Sequence, residues 1–505
     1  MFIERTVVKG KVVIIGSGLG GLVCGVILAR NGYRVTVLEQ GSQIGGCLQC
    51  FQRHGVKFET GMHFIGSADP GQTLDRLMRF LNIRDRVPLS RLDSTSYDVI
   101  CIDGRRFHIP FGREAFIRQM TDYFPSQHDN LVRYYELVEK VAGASSLHSL
   151  RFDHTDTAVS AAYQLRAIDT VIDELVTDPL LAKVLVGNLP LYAAERGKTP
   201  FSTHAFIMDF YNQSAYRVVG GSDMIAKALT DVITENEGKV LTHSKVTRIL
   251  CDDEKATAVE INGGDILTAD YVISDAHPVR TLELLDTKLI RPAFRRRIMD
   301  IRQGVGCFSL YLHFKKDTVP YLNSNFYGYE YGTPWECEDY DEMSWPKGYL
   351  YMHLCHEPQP RYAQTGVILS YMHMRDVERW RGTRVSRRGA DYERFKAEKA
   401  ERLLEVVERQ FPGLRGQIEH VYSSTPLTYL DYTGTEDGAM YGIAKDISLG
   451  AACRVPHRTR VPNLLLTGQN INSHGMLGVI VGAIVSTGEI VRPENIYKQI
   501  KEASK

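Results

Sequence analysis

The stretch Lys11–Glu39, KVVIIGSGLGGLVCGVILARNGYRVTVLE, predicts an apolar strand, a glycine turn, a helix and a second strand. Gly16, Gly18 and Gly21 have the GxGxxG spacing, which allows a tight turn, close approach of a pyrophosphate to the backbone, and close packing of helix on strand. The helix N-terminus offers free N–H groups and the positive end of its dipole to phosphate. Glu39 follows the second strand, where a carboxylate can accept hydrogen bonds from a ribose diol. The stretch therefore predicts a dinucleotide site.

The same stretch has a second interpretation as a membrane span. Residues 12–29 are eighteen consecutive uncharged residues, close to the length of a spanning helix. Five of them are glycines at turn spacing, however, and no small-residue cleavage site precedes Arg30. We therefore predict neither a signal peptide nor a transmembrane segment, and expect a soluble or peripherally membrane-associated protein on the cytoplasmic side.

Composition excludes several function classes. The 505 residues suffice for two or three domains, and 60 basic residues balance 60 acidic ones, so strong attraction to nucleic acid is not expected. Nine cysteines, an odd number, fit a reducing compartment better than a disulfide framework. Cys47 and Cys50 form a CxxC pair that we interpret as packing, because no second pair exists to complete a zinc site. No metal site is predicted.

Two local basic runs stand out, at residues 291–297 and 379–388. Their simplest interpretation is solvated surface. The alternative is contact with anionic lipid headgroups, with Trp380 as an interfacial anchor.

The order of predicted elements indicates an α/β fold with an interrupted nucleotide domain. An amphipathic helix is predicted at residues 74–81, intermittent helical periodicity continues to about residue 210, and strands are predicted at 239–249, 257–261 and 271–274. An antiparallel sheet at 306–375 and a charged helix at 390–410 precede a final strand, glycine turn and helix. Residues 1–75, 215–285 and 425–505 would form a Rossmann-type FAD-binding domain. Residues 76–214 and 286–424 would form a second, α+β substrate-binding domain.

The number of glycine fingerprints favours FAD over NAD as the bound cofactor. A second GxGxxG would be expected for an enzyme with its own NAD(P) domain, and none is found. One fingerprint plus a C-terminal strand–glycine–helix fits a single extended cofactor. NAD(P)H is left as a possible external electron donor without a dedicated site.

The motifs at the two ends of the chain also point to a family. Together with Gly16, Gly18, Gly21 and Glu39, the stretches GG (45–46), FETGMHFIG (58–66) and LLLTGQNINSHGMLGVIVGA (464–483) carry the resemblance. The chain resembles the phytoene desaturase, carotenoid isomerase and retinol saturase flavoproteins, most of all the retinol saturase branch. The resemblance implies an FAD enzyme that acts on carbon–carbon double bonds of a hydrophobic isoprenoid or polyene.

The resemblance also implies the FAD contacts. They are Gly16, Ser17, Gly18, Gly20, Gly21, Glu39, Gly46, Val246, Gly468, Gln469, Gly475 and Gly478. Gln469 stands where many flavoproteins of this fold have an aspartate, which keeps hydrogen-bonding capacity and removes the charge.

Chemistry at a double bond needs a proton donor or acceptor near the flavin. His63 and His474 are the candidates because they lie within the flavin-site motifs, with Tyr429 and Tyr432 behind them. The alternative for each histidine is a structural hydrogen-bonding role beside the cofactor, and for each tyrosine it is packing.

Three functions stay open at this point. The first is a flavin-dependent saturase or desaturase of a polyene lipid, and the second is a carotenoid cis–trans isomerase that uses reduced flavin without net redox. The third is a prenyl-binding escort protein of the same fold without flavin, against which the complete fingerprint and Glu39 argue. A lipid substrate further suggests peripheral membrane contact; the oligomeric state is not predicted.

Overall fold

The computed structural model describes residues 8–150, 156–471 and 473–504. The strands are β1 (Lys11–Ile15), β2 (Arg34–Leu38), β3 (Cys50–Arg53), β4 (Val56–Glu59), β5 (Ile65–Gly66), β6 (Leu89–Arg91), β7 (Asp98–Ile102), β8 (Arg105–Ile109), β9 (Ala215–Val218), β10 (Lys239–Leu241), β11 (Val246–Cys251), β12 (Ala256–Ile261), β13 (Asp265–Thr268), β14 (Tyr271–Ser274), β15 (Gly306–Phe314), β16 (Asn325–Tyr329), β17 (Gly348–His353), β18 (Thr365–Met372), β19 (Ile418–Ser424) and β20 (Leu464–Leu466).

The α-helices lie between and after these strands. They are α1 (Leu19–Arg30), α2 (Thr73–Phe80), α3 (Arg113–Tyr123), α4 (His128–Gly143), α5 (Ser146–Ser149), α6 (Thr157–Gln164), α7 (Ile168–Leu175), α8 (Pro179–Leu185), α9 (Phe201–Gln213), α10 (Asp223–Glu235), α11 (Pro278–Glu283), α12 (Pro292–Met299), α13 (Ala390–Gln410), α14 (Pro426–Thr433), α15 (Gly475–Val491) and α16 (Pro493–Ala503). Helices α3 to α9 follow one another between β8 and β9.

A five-stranded parallel sheet carries the predicted nucleotide site. Its order is β10-β2-β1-β14-β20, so three distant parts of the chain supply neighbouring strands. The central strands are apolar and buried, as expected for a parallel sheet covered on both faces. All strands present their carboxyl ends at one edge, where ligands of open α/β sheets bind.

The uncharged run after β1 is a buried helix. Helix α1 is enclosed on all sides: the Cys24 thiol lies 3.8 Å from the Ala483 carbonyl of α15, and a Cβ on Gly25 would lie 2.7 Å from Ile233 of α10. This packing accounts for an apolar helix without a polar face. Within the described ranges, no helix is both long enough and apolar enough to cross a membrane.

The second large sheet is seven-stranded and mixed, with the order β19-β15-β18-β17-β16-β7-β8. Its strands pair antiparallel except β16 with β7. Alternate residues of β7 face opposite sides: Ile100 packs with the helices of residues 113–213, and Val99 packs on the side of α13. The helix predicted at 390–410 coincides with α13, and the one at 74–81 with α2.

The hairpin β7–β8 corrects the sequence interpretation, which assigned helical periodicity up to residue 210. The turn residues Asp103 and Gly104 have φ values of 51° and 72°, the left-handed conformation that a tight hairpin requires. The Asp-Gly pair between two apolar runs was the signal. The α/β fold class is confirmed, and the domain boundaries stay a prediction.

Trp380 is not an interfacial anchor, so that alternative was wrong. Its ring is only 3% exposed, its indole N–H donates to Asp391 at 2.8 Å, and the Arg379 guanidinium lies 4.0 Å above the ring centroid. Arg388 of the same basic run is buried and paired with Asp431. Trp380 and Arg388 are therefore packed within the protein, and most other residues of this basic run are exposed to solvent.

Candidate active site

The two glycine turns predicted from opposite ends of the chain meet at the carboxyl edge of the parallel sheet. Gly16 and Gly468 follow β1 and β20 with φ values of 93° and 95°, which only glycine adopts without strain. A Cβ on Gly20 would lie 2.9 Å from the Gly468 nitrogen. A Cβ on Gly21 would lie 2.3 Å from the Gly16 carbonyl oxygen, so the helix packs directly on the turn.

An aspartate that the sequence interpretation missed lies where these turns meet. Asp275 follows β14, the strand between β1 and β20. A Cβ on Gly18 would fall 2.4 Å from its carboxylate, and a Cβ on Gly20 or Gly468 would fall 2.5 Å from it. Burial raises the pKa of this carboxylate, and the backbone amides of Gly21 and Gly18 oppose that rise. An acidic residue directly after a parallel strand, at the ligand-binding edge, was the signal that could have identified it.

Glu39 reaches back into the first glycine turn. Its Oε2 accepts hydrogen bonds from the Ser17 hydroxyl at 2.6 Å and the Ser17 backbone N–H at 3.2 Å, and its Oε1 accepts from Gly41 N–H at 2.8 Å. A Cβ on Gly46 would lie 3.2 Å from the Gly18 Cα. Val246 begins β11 and packs in the same apolar cluster as β2. The predicted adenine-side residues are therefore neighbours, while their contacts with FAD stay predictions.

Replacing Glu39 by alanine is expected to weaken FAD binding about 10- to 100-fold. The variant loses the carboxylate placed for the ribose and three hydrogen bonds that order the turn, each worth about 1.5 kcal/mol or less after partial replacement by water. Fluorescence titration of the apoprotein with FAD measures the effect. Glu254→Ala, at an exposed turn, is the control. Wild-type affinity in Glu39→Ala would remove the ribose assignment.

The second half of the predicted cofactor site is the start of α15. His474 is its N-cap residue and gives no side-chain hydrogen bond to the first turn. No described atom lies within 4 Å of a Cβ placed on Gly475, so space opens in front of the helix, whereas a Cβ on Gly478 would lie 2.6 Å from Ser473. Gln469 is half-buried in the turn before it. An uncapped helix start beside open space is suited to a ligand that accepts hydrogen bonds.

His474 is buried, 7% exposed, with its ring centroid 4.6 Å from that of Tyr441. Burial, with a smaller contribution from the positive charge of Lys445, lowers the pKa of His474 to about 3. Its Nε2 has no hydrogen-bond partner among the described residues. The imidazole is therefore neutral near pH 7, which makes it a weak proton donor.

His63 lies opposite a carboxylate. Its Nδ1 is 3.4 Å from Oε2 of Glu59, and the two side chains are 7% and 4% exposed. Burial raises the pKa of Glu59, and the neighbouring His63 opposes that rise. Neither imidazole nitrogen has a conventional hydrogen-bond partner in the described ranges. Glu59 was missed, although it precedes His63 by four residues within FETGMHFIG.

The His63 backbone is held by a buried arginine. Arg217, 1% exposed, donates to the His63 carbonyl at 3.1 Å and to Oδ1 of Asn325 at 2.7 Å. Its guanidinium also lies 5.7 Å from the ring centroid of Phe64. This side chain joins the His63 loop to the seven-stranded sheet, which fixes the histidine relative to that sheet.

Aromatic side chains connect the surroundings of the two histidines. The rings of Phe64 and Tyr211 lie 4.9 Å apart. Burial raises the pKa of Tyr441, the neighbour of His474, and proximity to Tyr211 adds to the rise. Phe64 follows His63 in the chain and Tyr441 packs against His474; we refer to Phe64, Tyr211 and Tyr441 together as the aromatic cluster.

The two candidate tyrosines lie in different environments. Tyr429 donates to the Thr60 carbonyl at 3.1 Å and contacts Cys307 Sγ at 3.4 Å, whereas Tyr432 on the same helix is 58% exposed. Tyr429 therefore supports the loop before His63, and Tyr432 does not line the site.

Cys47 and Cys50 are free thiols, and burial raises their pKa values to about 11 and 12. Such thiols are poor nucleophiles at neutral pH, in line with packing. No group of side chains suited to a metal ion occurs in the part of the chain that the structure describes.

Comparison with known proteins identifies the family. The profile of the flavin containing amine oxidoreductase family matches residues 19–487. The chain belongs to this family. This flavin containing oxidoreductase is 29% identical to the all-trans-retinol 13,14-reductase of Rattus norvegicus, over 99% of this chain and 88% of the relative. It is 23% identical to prolycopene isomerase 1 of an Oncidium hybrid cultivar, over 96% and 84%. These relatives confirm the resemblance drawn from the sequence.

A solved structure of similar fold is an oxidoreductase from Methanosarcina mazei. Its TM-score is 0.60 at 16% identity, and the match covers 94% of this chain and 99% of that one. The likeness supports the fold alone.

The residues present fit the flavin that the family implies. The N-cap residues of α1 and α15, Gly18 and His474, make no side-chain hydrogen bond to the first turn of their helices, and side chains at Gly18, Gly20 or Gly468 would collide with their surroundings. Buried polar atoms of Glu59, His63 and His474 make no geometrically normal hydrogen bond within the described residues, although Glu59 and His63 lie opposite each other. Hydrogen-bond donors, glycine-lined backbone and unsatisfied polar groups are what a dinucleotide with a polar ring requires.

Proposed function

We propose that this flavoprotein is an FAD-dependent oxidoreductase acting on carbon–carbon double bonds of a long polyene or isoprenoid lipid, with reduction as the preferred direction. The observation that carries the proposal is the buried Glu59–His63 pair beside the aromatic cluster. Supporting it, relatives named all-trans-retinol 13,14-reductase align over nearly the whole chain. A double-bond reductase needs one protonating group in an otherwise apolar site, and this pair supplies it.

His63 is the proposed proton donor. When bound, FAD supplies the two-electron redox chemistry for the second carbon of the double bond. A buried imidazole and carboxylate together hold one proton most favourably, because that state carries no net charge. Glu59 faces Nδ1 of His63 at 3.4 Å, which leaves Nε2 to exchange a proton with substrate carbon.

The other groups bind, orient and exclude water. Phe64, Tyr211 and Tyr441 offer aromatic faces to a conjugated chain, and their packing keeps water from the reacting carbons. Neutral His474 lines the start of α15, whose dipole favours negative charge on a group bound there.

Two finer points belong to the same proposal. NAD(P)H, or another carrier, would act as an external donor, since the chain has one glycine fingerprint. A lipid substrate has to be drawn from a bilayer, so peripheral membrane contact is expected; co-sedimentation with liposomes tests it, and protein wholly in the supernatant would contradict it.

A second candidate is isomerisation of a carotenoid without net redox. The relatives named prolycopene isomerase favour it, although at lower identity than the reductases. The same Glu59–His63 pair would then protonate and deprotonate the polyene.

The test uses FAD-loaded protein reduced anaerobically with dithionite and incubated with all-trans-retinol or lycopene. Mass spectrometry of the product separates the candidates. A product heavier by two hydrogens supports reduction, and a product of unchanged mass with altered retention time supports isomerisation. No product from either substrate, with flavin bound, would overturn the polyene assignment, and colourless protein that takes up no FAD would revive the escort protein.

A further inference from the structure

The anion-binding end of α1 already holds an anion of the protein's own. The Asp275 carboxylate lies against the start of this helix: its Oδ2 would be 2.4 Å from a Cβ on Gly18 and 3.3 Å from one on Gly21. Gly18 gives the helix no side-chain cap. Asp275 therefore brings a carboxylate to the start of α1 from outside the helix, from the end of the neighbouring strand β14.

The residues around this carboxylate are glycines, and a larger side chain at these positions would collide with it. A Cβ on Gly18, Gly20 or Gly468 would fall within 2.5 Å of an Asp275 oxygen. The small residues of both turns thus make room for a side chain of the protein. In a FAD site the same helix start and the same turns serve the pyrophosphate, which carries negative charge.

We propose that Asp275 is a charge gate for flavin loading: its carboxylate lies at the anion-binding start of α1 and takes up a proton when the FAD pyrophosphate binds there. Two negative groups cannot share a few N–H donors in a buried site without a large repulsive cost. Protonation removes that repulsion and leaves Asp275 able to donate a hydrogen bond. The inference rests on flavin binding and is independent of the substrate.

The surroundings set the direction of the pH dependence. Burial, with a smaller contribution from the negative charge of Glu39 at the end of β2, raises the pKa of Asp275 to about 7. The thiols facing the carboxylate, Cys24 of α1 and Cys47 beyond Gly46, have raised pKa values and stay neutral. Asp275 is thus neutral below about pH 7 and ionised above it. FAD should bind more tightly on the acid side, and binding should weaken as pH rises through 7.

The experiment is a titration of the apoprotein with FAD, followed by flavin fluorescence, at several pH values. Linkage to one proton with a pKa of about 7 predicts that the dissociation constant rises about twentyfold between about pH 6.5 and about pH 8.5. Asp275→Asn, isosteric and uncharged, is expected to bind FAD more tightly than wild type at the higher pH and to lose most of this rise. Asp270→Asn, at the exposed opposite end of β14, is the matched control and should keep it.

Calorimetry of wild-type protein makes the test independent of the variant's folding. At about pH 8, titration in two buffers of different ionisation enthalpy should show uptake of close to one proton per FAD bound. No proton uptake, or the same pH dependence in Asp275→Asn as in wild type, would overturn the gate. Absence of FAD binding at every pH would instead remove the flavin assignment on which both proposals depend.

Discussion

His63→Gln is expected to retain FAD and to lower the rate of double-bond reduction about 10²- to 10⁴-fold, the usual contribution of a positioned general acid. Glutamine fills similar space and cannot exchange a proton with carbon. Glu59 would then lose the imidazole that faces it, and Arg217 would still hold the backbone of residue 63 through its carbonyl. Flavin content by absorbance and turnover under saturating substrate measure the two effects separately.

Two histidine variants control this result. His128→Gln, at an exposed site, should be wild-type in both measurements. His474→Gln should lose less activity than His63→Gln, because the low pKa of His474 keeps it neutral and excludes it as the main acid. A wild-type rate in His63→Gln would return this residue to a structural role.

Gly21→Ala is expected to destabilise the protein by about 3 kcal/mol and to abolish flavin binding, since overpacking at a rigid contact costs this much. The added Cβ would lie 2.3 Å from the Gly16 carbonyl oxygen. Helix α1 cannot move away freely, because its other side packs closely on α10: a Cβ placed on Gly25 would lie only 2.7 Å from Ile233. Thermal unfolding and bound FAD after gel filtration measure the effect.

Gly143→Ala is the matched control. Gly143 ends α4, and no described atom lies within 4 Å of a Cβ placed there. Alanine should be neutral or stabilising by up to about 1 kcal/mol at such a helical position. Equal stability and equal flavin content in Gly21→Ala and wild type would contradict the close packing of helix on turn.

Local patterns made part of the structure predictable. The elements from Lys11 to Glu39 follow from spacing alone, because an apolar strand, three glycines and a helix constrain one another within a short segment. The C-terminal strand, glycine turn and helix were also predicted to serve the same cofactor, and Gly468 of that turn lies against Gly20. The fold class and the flavin cofactor could thus be predicted from the sequence without knowledge of tertiary contacts.

Residues whose roles depend on distant partners were not predictable in the same way. Asp275 acts through amides more than two hundred residues earlier in the chain, and Trp380 lies within a basic run yet is covered by the protein. Glu59 was within a motif already singled out, but a loop of irregular backbone hides which side chains face each other. The hairpin at Asp103–Gly104 was a local signal overlooked in favour of helical periodicity.

The most direct test of the central claim is the stoichiometry of a single anaerobic turnover. Protein carrying fully reduced FAD is mixed with a slight excess of all-trans-retinol, and flavin reoxidation and product are measured in the same sample. The proposed function predicts one reduced flavin reoxidised for each double bond reduced, and neither change in His63→Gln on the same time scale. Product that accumulates while the flavin stays reduced, or flavin that stays reduced without product, would contradict it.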